Sequence, residues 1–343
     1  MQCMARKGSR NTRRGKGMKK IEPAVQTFVV AVQNVPGFGA IDATADLSQI
    51  ASICNRRFYR QGLNWAVAGF KVLSSTQGNV EVHKLPSTWV FGNAWEKGMR
   101  HYTEMIDDAL SAQESIKGRY LDFKIHMDDK HHLAGFSNNL LPLDANGNTA
   151  TAGEWLSSTI TLVDFPPNSA RFEVVGVGAN FPGAGATGLD AVSLVQGYAN
   201  SRALPSESDP NTPVQGSDTS GPTPENWLQA IENEGTTQDQ FVTIEARQYD
   251  EPPYPFEGDG AGALVTQYPG GASQMPGLQI HDTVNFTSTN IANTAYAKGG
   301  NFPCGLIRFK CTNTLQDEGS FLILIDMVPG DHRGYLAERM TEF

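Results

Sequence analysis

The feature that most constrains the fold of this chain is a succession of short segments with the composition or the period-two alternation of β-strands. Residues 120–127, YLDFKIHM, alternate polar and apolar side chains at every step, which predicts a strand with one buried face and one polar face. Gly, Pro, Asn or Asp residues bound most of these segments and favour turns between them. The predicted strands are 25–32, 63–73, 80–85, 120–127, 155–163, 171–177, 241–246, 278–286, 306–311 and 321–328.

Helical patterns are fewer. Residues 94–116 place apolar side chains at helical spacing, residues 189–203 form a second candidate, and residues 223–235 form a short capped helix. Because β-α-β alternation is not sustained, we predict an all-β fold. The expected architecture is a single jelly roll, an antiparallel β-sandwich, with a few inserted helices and long loops. The apolar positions of the first helix are Trp95, Met99, Tyr102, Ile106 and Leu110, and the long loops are residues 205–224 and 249–277.

Positive charge is concentrated at the start of the chain. Residues 1–20 carry eight cationic side chains and no acid, so their charge is +8. The rest of the chain holds 19 basic and 36 acidic residues, a balance of −17 within a net charge of −9. Polyanion binding is therefore expected on residues 1–20, here called the basic arm, or on a local patch of the body. The cations of the basic arm are Arg6, Lys7, Arg10, Arg13, Arg14, Lys16, Lys19 and Lys20.

The basic arm mixes its cations with Gly, Ser and Asn and has no apolar periodicity. We predict a disordered segment that contacts nucleic acid, directs nuclear import, or does both, because short Lys/Arg clusters serve either purpose. The alternative is a solvated tail without a function. The predicted organisation is thus the basic arm at residues 1–20 and one β domain with inserted loops and helices at residues 21–343.

Composition excludes several classes of protein. Hydrophobic residues make up 39 % of the 343 residues, which is enough for a large core and excludes a fully disordered chain. No run approaches the ~18 consecutive apolar residues of a membrane span, and no secretory signal follows the first basic residues, so no membrane partner is expected. The cysteines form no CxxC pair, which favours buried free thiols over a zinc site or disulfides. They are Cys3, Cys54, Cys304 and Cys311.

A basic and aromatic segment stands out within the acidic body. Residues 55–62, NRRFYRQG, interleave Arg56, Arg57 and Arg60 with two aromatic residues. Guanidinium groups bind phosphates and aromatic rings stack on unpaired bases, so this pattern is typical of single-stranded nucleic-acid binding. The alternative is the edge of a strand or helix whose aromatics enter the core while its arginines pair with acids. The two interpretations agree if the aromatics are buried and the arginines face nucleic acid.

Carboxylates and imidazoles crowd into residues 122–132. Closely spaced Asp oxygens suit Ca²⁺, so a structural calcium ion between subunits is one interpretation. No HExxH pattern is complete, and the alternative is a solvated strand end with Asp122 and His126 on its polar face. No other cofactor is expected. The weak metal candidates are Asp122, His126, Asp128 and Asp129, with His131 and His132 beside them.

The stretch GAGATG at residues 183–188 fits the glycine pattern of a dinucleotide-binding turn between a strand and a helix. Pro182 lies in the approach to it and the whole chain is rich in glycine, so a loop is the preferred interpretation. The chain has no GxSxG elbow and no catalytic signature around any cysteine. We therefore do not expect an enzyme.

Eight further stretches mark a relationship and carry no known chemistry. They are MKKIEPAVQT at 18–27, NRRFYRQGLNWAVAGF at 55–70, TAGEW at 151–155, FPGAGATGLDAVSL at 181–194, TPENWLQAI at 223–231, PYPFE at 253–257, GGNFPCGLI at 299–307 and VPGDHRGYL at 328–336. Spread over nearly the whole body, they resemble stretches of the capsid proteins of small circular, Rep-encoding single-stranded DNA viruses.

The resemblance implies a single jelly-roll coat protein that self-assembles into an icosahedral shell around circular single-stranded DNA. It implies a location in the virion, with the host nucleus as a site of assembly, and it names no host receptor. The basic arm then faces the interior, and since many such arms are longer, its charge neutralises only part of the genome. Two alternatives stay open: a non-capsid nucleic-acid-binding β protein and a β-sandwich enzyme.

Overall fold

The computed structural model describes residues 23–118, 121–163, 169–201 and 277–340, and strand residues outnumber helical residues among them. The strands are β1 (Thr27–Val35), β2 (Ala40–Asp46), β3 (Leu63–Ser74), β4 (Gly78–Lys84), β5 (Thr159–Val163), β6 (Ser169–Val175), β7 (Asp190–Ser193), β8 (Gln279–Phe286), β9 (Thr294–Phe302), β10 (Leu306–Asn313), β11 (Gly319–Met327), β12 (Pro329–Gly330), β13 (Gly334–Tyr335) and β14 (Ala337–Arg339). The helices are α1 (Leu47–Asn55), α2 (Trp89–Ala109), α3 (Glu114–Lys117), α4 (Asp129–Ala134) and α5 (Leu194–Ser201).

Eight long strands and the short β14 form two antiparallel sheets. In the first sheet β1 pairs with β11, β11 with β3, and β3 with β9. The short β14 also pairs with β3. Trp65 of β3 pairs with Ala337 of β14 on one edge and with Phe302 of β9 on the other, so β14 lies on the same edge of β3 as β11. The order of the second sheet is β2, β10, β4, β8.

The two sheets share one apolar core, as in a β-sandwich, and we call them together the sandwich. Along β11 every second residue is buried, so its alternating sequence places one face inward. Phe70 of the first sheet meets Phe309 of the second edge to face, with ring centroids 5.7 Å apart. Phe286 and Phe321 make a similar contact at 5.8 Å. The prediction of a mostly β fold with antiparallel sheets is confirmed.

Residues 85–201 lie between β4 and β8 in the chain and form what we call the inserted region. Its β6 pairs with β5 in the antiparallel sense and with β7 in the parallel sense. A second apolar core unites this small sheet with α2 and α5, and includes Phe91, Phe123 and Phe172. No helix among the described residues is long and apolar enough to cross a membrane.

Helix α2 bears out the predicted apolar stripe but begins five residues earlier, at Trp89, and ends at Ala109. The side chain of Thr88 accepts a hydrogen bond from the backbone of Phe91, which caps the first turn. Trp95 and Tyr102 are buried in the second core. The second predicted helix is shorter than expected, since β7 occupies its first part and α5 only the residues from Leu194 to Ser201.

The predicted strand at 120–127 is wrong. In residues 121–127 only His126 makes a β-bridge, to Val175. Side chains take the place of a neighbouring strand as hydrogen-bond partners of this backbone. The Ser158 hydroxyl accepts from the backbone N–H of Lys124, and the Gln61 amide oxygen accepts from that of Ile125. Its polar face is buried too, because segment 55–62 and the rest of the inserted region cover Asp122, Lys124 and His126.

Other boundaries also differ from the sequence predictions. Of the predicted strand 155–163 only Thr159–Val163 is a strand, and β2, α1 and β9 were not predicted. Cys304 and Cys311 are buried free thiols as predicted, and burial raises the pKa of Cys311 to about 12. Several predictions lie outside the described residues: the basic arm, Cys3, the strand 241–246, the helix 223–235, and nearly all of the two long loops.

Candidate nucleic-acid interface

The basic and aromatic segment 55–62 connects α1 to β3. Arg56 ends α1 in the left-handed conformation, with φ 52° and ψ 39°. The side chains of Arg56, Arg57 and Arg60 are exposed, whereas Tyr59 is fully buried and Phe58 is half exposed. One aromatic therefore enters the core while the arginines face outward, and nucleic-acid binding by these arginines stays a prediction.

Tyr59 fixes this segment to the C-terminal part of the described chain. Its ring lies 5.9 Å from that of Trp65 and 5.6 Å from that of Tyr335, and its hydroxyl donates to the backbone oxygen of Arg333 at 3.0 Å. Arg333 in turn donates from its guanidinium to the backbone oxygen of Phe58. These reciprocal bonds hold two arginine-bearing segments side by side, although about 270 residues separate them in the chain.

Gln61 is the buried support of the same segment, and nothing in its sequence context predicted that role. Its side-chain amide donates to Asp46 at 3.1 Å and to the backbone oxygen of Ile125 at 3.1 Å, while its amide oxygen accepts from the backbone of Ile125 at 2.6 Å. Burial raises the pKa of Asp46, and hydrogen bonds from Ser48 and Trp155 oppose that shift. This network positions Arg60 relative to the inserted region.

A cleft of about 530 Å³ opens beside these residues, within the ~300–1,000 Å³ range of ligand sites. Its lining brings Arg60 together with Arg333 and Arg339, which the sequence analysis did not single out. All three arginines are exposed. The remaining lining residues are Phe58, Gly62, Leu63, Trp95, Met99, Leu121, Asp122, Phe123 and His332.

Among the described residues that line this cleft, the single acid is compensated. Asp122 is 2 % exposed and pairs with the Lys124 ammonium at 2.8 Å. That ammonium lies 4.5 Å from the ring centroid of Trp155 and 5.4 Å from that of Phe58, within cation–π range. With Asp122 neutralised by Lys124, the three arginines leave the cleft net positive, as a site for an anionic ligand requires.

Val25, which precedes β1, is held by two side chains, one of them from the start of segment 55–62. The backbone nitrogen of Val25 donates to Asn55 at 2.9 Å, and its backbone oxygen accepts from the Tyr335 hydroxyl at 2.6 Å. Asn55 also donates to the Tyr335 hydroxyl at 2.7 Å. We call these three hydrogen bonds among Val25, Asn55 and Tyr335 the Val25 clasp. The clasp joins the chain that follows the basic arm to residues adjacent to Arg56 and Arg333.

The predicted metal candidates are not brought together. Asp122 pairs with Lys124, and Asp128 caps α4 and pairs with Arg308. Asp129 is exposed, and His126 faces Glu173. No group of three or more His, Cys, Asp or Glu side chains suited to a metal ion occurs in the described ranges. Structural calcium therefore stays a prediction without a cluster to hold it here.

The histidines form a buried polar cluster instead of a solvated strand end. Glu173 lies 3.3 Å from His126 and 3.0 Å from His132, and all three side chains are at most 2 % exposed. Burial is the largest cause that lowers the pKa of His132, and the pKa of His131 falls well below 6.5 for the same reason. The pKa of Glu173 is also lowered, because hydrogen bonds from His126 and Ser157 outweigh its desolvation.

The GAGATG stretch is a loop that leads into β7. Gly183 and Gly188 adopt φ values of 112° and 81°, which favour glycine. A Cβ atom at Gly185 would lie 2.5 Å from the ring of His132, so the loop packs closely on that imidazole. Because a strand and not a helix follows, no helix N-terminus lies where a dinucleotide fingerprint requires one.

Comparison of the chain with protein-family models, with curated proteins and with solved structures found no match.

Proposed function

We propose that this chain is the coat protein of a small single-stranded DNA virus, a jelly-roll subunit that assembles with its own copies into an icosahedral shell. On this proposal the basic arm packages the genome, the protein resides in the virion, and assembly takes place in the host nucleus. No catalytic activity belongs to this function.

The order of the eight sandwich strands is the observation that carries this proposal. Numbered along the chain as β1 to β4 and β8 to β11, the first pairs with the eighth, the second with the seventh, the third with the sixth and the fourth with the fifth. This is the pairing of one long hairpin, rolled so that the eighth strand also meets the third and the seventh meets the fourth. Such an order supports a jelly roll, an architecture found in viral capsids as well as in lectin domains and cupins.

Exposed apolar side chains on the sandwich support self-association. Ile280 of β8, Tyr296 of β9 and Ile291 in the turn between these strands are 67 %, 71 % and 91 % exposed. Large exposed apolar groups along one hairpin are candidate contacts for a neighbouring copy. A neighbouring copy in a shell would remove them from water.

The charge distribution supports a role in packaging. The basic arm carries +8, and the Val25 clasp joins the chain that follows it to the arginines of segment 55–62. If all eight cations contact phosphates of a single strand, the salt dependence of log K has a slope of about −5 to −6. The binding of the arm is then strong at low salt and independent of base sequence.

The test is electron microscopy and size-exclusion chromatography of the purified full-length protein, with nuclease-protected DNA as a second readout. We expect megadalton particles that contain DNA. A variant in which all eight arm cations become Gln should lose most of the DNA, because no other segment of the chain carries comparable positive charge. A control with Arg100, Arg171 and Lys298 changed to Gln should retain it.

Two results would contradict the proposal. One is a protein that stays monomeric or dimeric under every assembly condition. The other is equal DNA content in the arm variant and the wild type. The arginine cleft favours a second candidate function, a non-capsid nucleic-acid-binding protein, which predicts tight binding of single-stranded DNA without any particle.

A further inference from the structure

We propose that the cleft beside segment 55–62 binds one nucleotide of a single-stranded DNA, with its phosphate against Arg60 and Arg339 and its base against Phe58 and Trp95. This inference rests on the proposed function, because it assigns a defined place in the body to the strand that the basic arm gathers. It adds to that function a second, structured contact with the nucleic acid.

The arginines of the cleft are available for a ligand. The guanidinium groups of Arg60 and Arg339 make no ion pair or hydrogen bond to any described residue. Arg60 follows the buried Tyr59 and precedes the buried Gln61, while Arg339 lies in β14, paired with β3. Both side chains therefore extend from a fixed backbone and hold free guanidinium groups, which match phosphate geometry.

Aromatic surface lies in the same cleft. Phe58 is 50 % exposed, so part of its ring is open although it packs near Trp155 and Lys124. Trp95 lines the wall but is only 7 % exposed, so it offers little stacking surface; its indole N–H makes no hydrogen bond within the described part of the chain and is available to donate to a base. A stacking ring beside phosphate-binding arginines is the combination with which proteins hold unpaired bases. A duplex would not fit this arrangement, because its bases are stacked within the helix and closed to such a cleft.

The volume and the position of the cleft both favour a nucleotide over a protein segment. The space of about 530 Å³ suits one small ligand, and its charged rim suits an anion. The Val25 clasp holds Val25 against Asn55 and Tyr335, and Tyr335 contacts the ring of Tyr59, the residue before Arg60. On the proposed function, a strand bound by the basic arm therefore has a structured site on the same part of the body.

The experiment measures binding of oligothymidylate to the full-length protein by fluorescence anisotropy over a range of salt concentrations. The double variant Arg60→Gln/Arg339→Gln removes both cations that neutralise the one bound phosphate, so the salt slope should become shallower by about 0.7. Phe58→Ala should lower the affinity roughly 5- to 100-fold. The control Arg171→Gln, an exposed arginine of β6 outside the cleft, should leave both quantities within error of the wild type.

Photocrosslinking supplies a readout that does not depend on any variant folding. Oligothymidylate that contains 5-iododeoxyuridine should crosslink to peptides that hold Phe58 or Trp95. Crosslinks confined to other peptides, together with an unchanged salt slope in the double variant, would overturn the inference. Particles with wild-type DNA content in the double variant, with those same negative results, would leave the coat function intact. Cleft crosslinks in a protein that never forms particles would contradict the coat function alone.

Discussion

The sandwich and the inserted region bury different kinds of side chain to the same depth. Between the two sheets lie aromatic and aliphatic residues such as Phe70, Phe302 and Phe309, all at most 1 % exposed. The interior of the inserted region holds ionisable groups that are nearly as buried, among them His126 and Glu173. Apolar burial is insensitive to pH, whereas a buried charge is tolerated only while its partner is present. We therefore expect the sandwich to lose stability when apolar side chains are removed, and the inserted region to lose stability when the partner of a buried charge is removed or protonated.

The contact between the two regions contains both a buried and an exposed ion pair. Arg308 of β10 donates to Asp128, the cap of α4, and to the hydroxyl of Thr44 at 2.9 Å. Nearby, Lys130 of α4 pairs with Asp42 of β2 at 2.7 Å, but the lysine side chain is 65 % exposed. Both pairs join α4 and its cap to the second sheet, one through β10 and the other through β2, but in different dielectric surroundings, so they test how much burial changes an ion pair.

Phe309→Ala is the change with the largest expected effect. Phe309 is fully buried and contacts Phe70 across the sandwich, so its removal leaves a cavity between the sheets. We expect the free energy of unfolding to fall by about 3–5 kcal/mol, measured by denaturant titration. The control Tyr296→Ala, on an exposed side chain of β9, should change it by less than about 0.5 kcal/mol. Similar small losses in both variants would refute the assignment of the core.

Arg308→Met should destabilise the protein by about 3 kcal/mol, because it leaves the Asp128 carboxylate buried without its cation. Lys130→Ala is the matched comparison on the exposed pair and should cost less than about 1 kcal/mol. Both values come from the same denaturant titrations. If the two substitutions cost the same, burial does not set the strength of the contact between the regions.

Acidification should destabilise the protein through the histidines of the inserted region. Burial holds the pKa of His131 well below 6.5 and lowers that of His132, so the unfolded chain takes up protons first as the pH falls. The free energy of unfolding should be level between about pH 7 and 8 and decrease below 6.5, by up to about 1.4 kcal/mol per pH unit for each histidine. Thermal unfolding at a series of pH values measures this decrease.

The variant His132→Gln should show a shallower pH dependence than the wild type. The buried Asp46 acts in the opposite sense, because burial raises its pKa and the folded state binds a proton at Asp46 before the unfolded chain does as the pH falls. Asp46 is present in both proteins, so the difference between variant and wild type isolates the histidine. Identical pH profiles for the two proteins would contradict the assignment.

The sequence predicted the β-rich class because alternation along strands such as β11 survives in a sandwich with one covered face per sheet. It did not predict β2 or β9, since AIDATAD and TAYAKGGNF are rich in small residues and their burial comes from partners distant in the chain. The segment 120–127 was wrongly predicted as a strand for the opposite reason. Its alternation of polar and apolar residues is genuine, but both of its faces are buried.

The candidate interface was predictable in part. The pattern NRRFYRQG directed attention to segment 55–62, and its arginines are exposed. Arg333 and Arg339 were not found because a cleft between segments about 270 residues apart leaves no local pattern. Gln61 escaped notice for a related reason, since one buried amide among polar residues looks the same in a sequence whether it supports a site or faces solvent.

The Val25 clasp also determines where a mechanical load would enter the fold. A polymer that pulls on the first twenty residues transmits tension to Val25, whose backbone nitrogen and oxygen are both held by side chains. The force is therefore divided between the end of α1 and the C-terminal segment before it reaches the β1–β11 ladder. Under such a load the two hydrogen bonds at Val25 break before β1 separates from β11 at the edge of its sheet. The clasp therefore protects the β1–β11 pairing from force applied to the N-terminal residues.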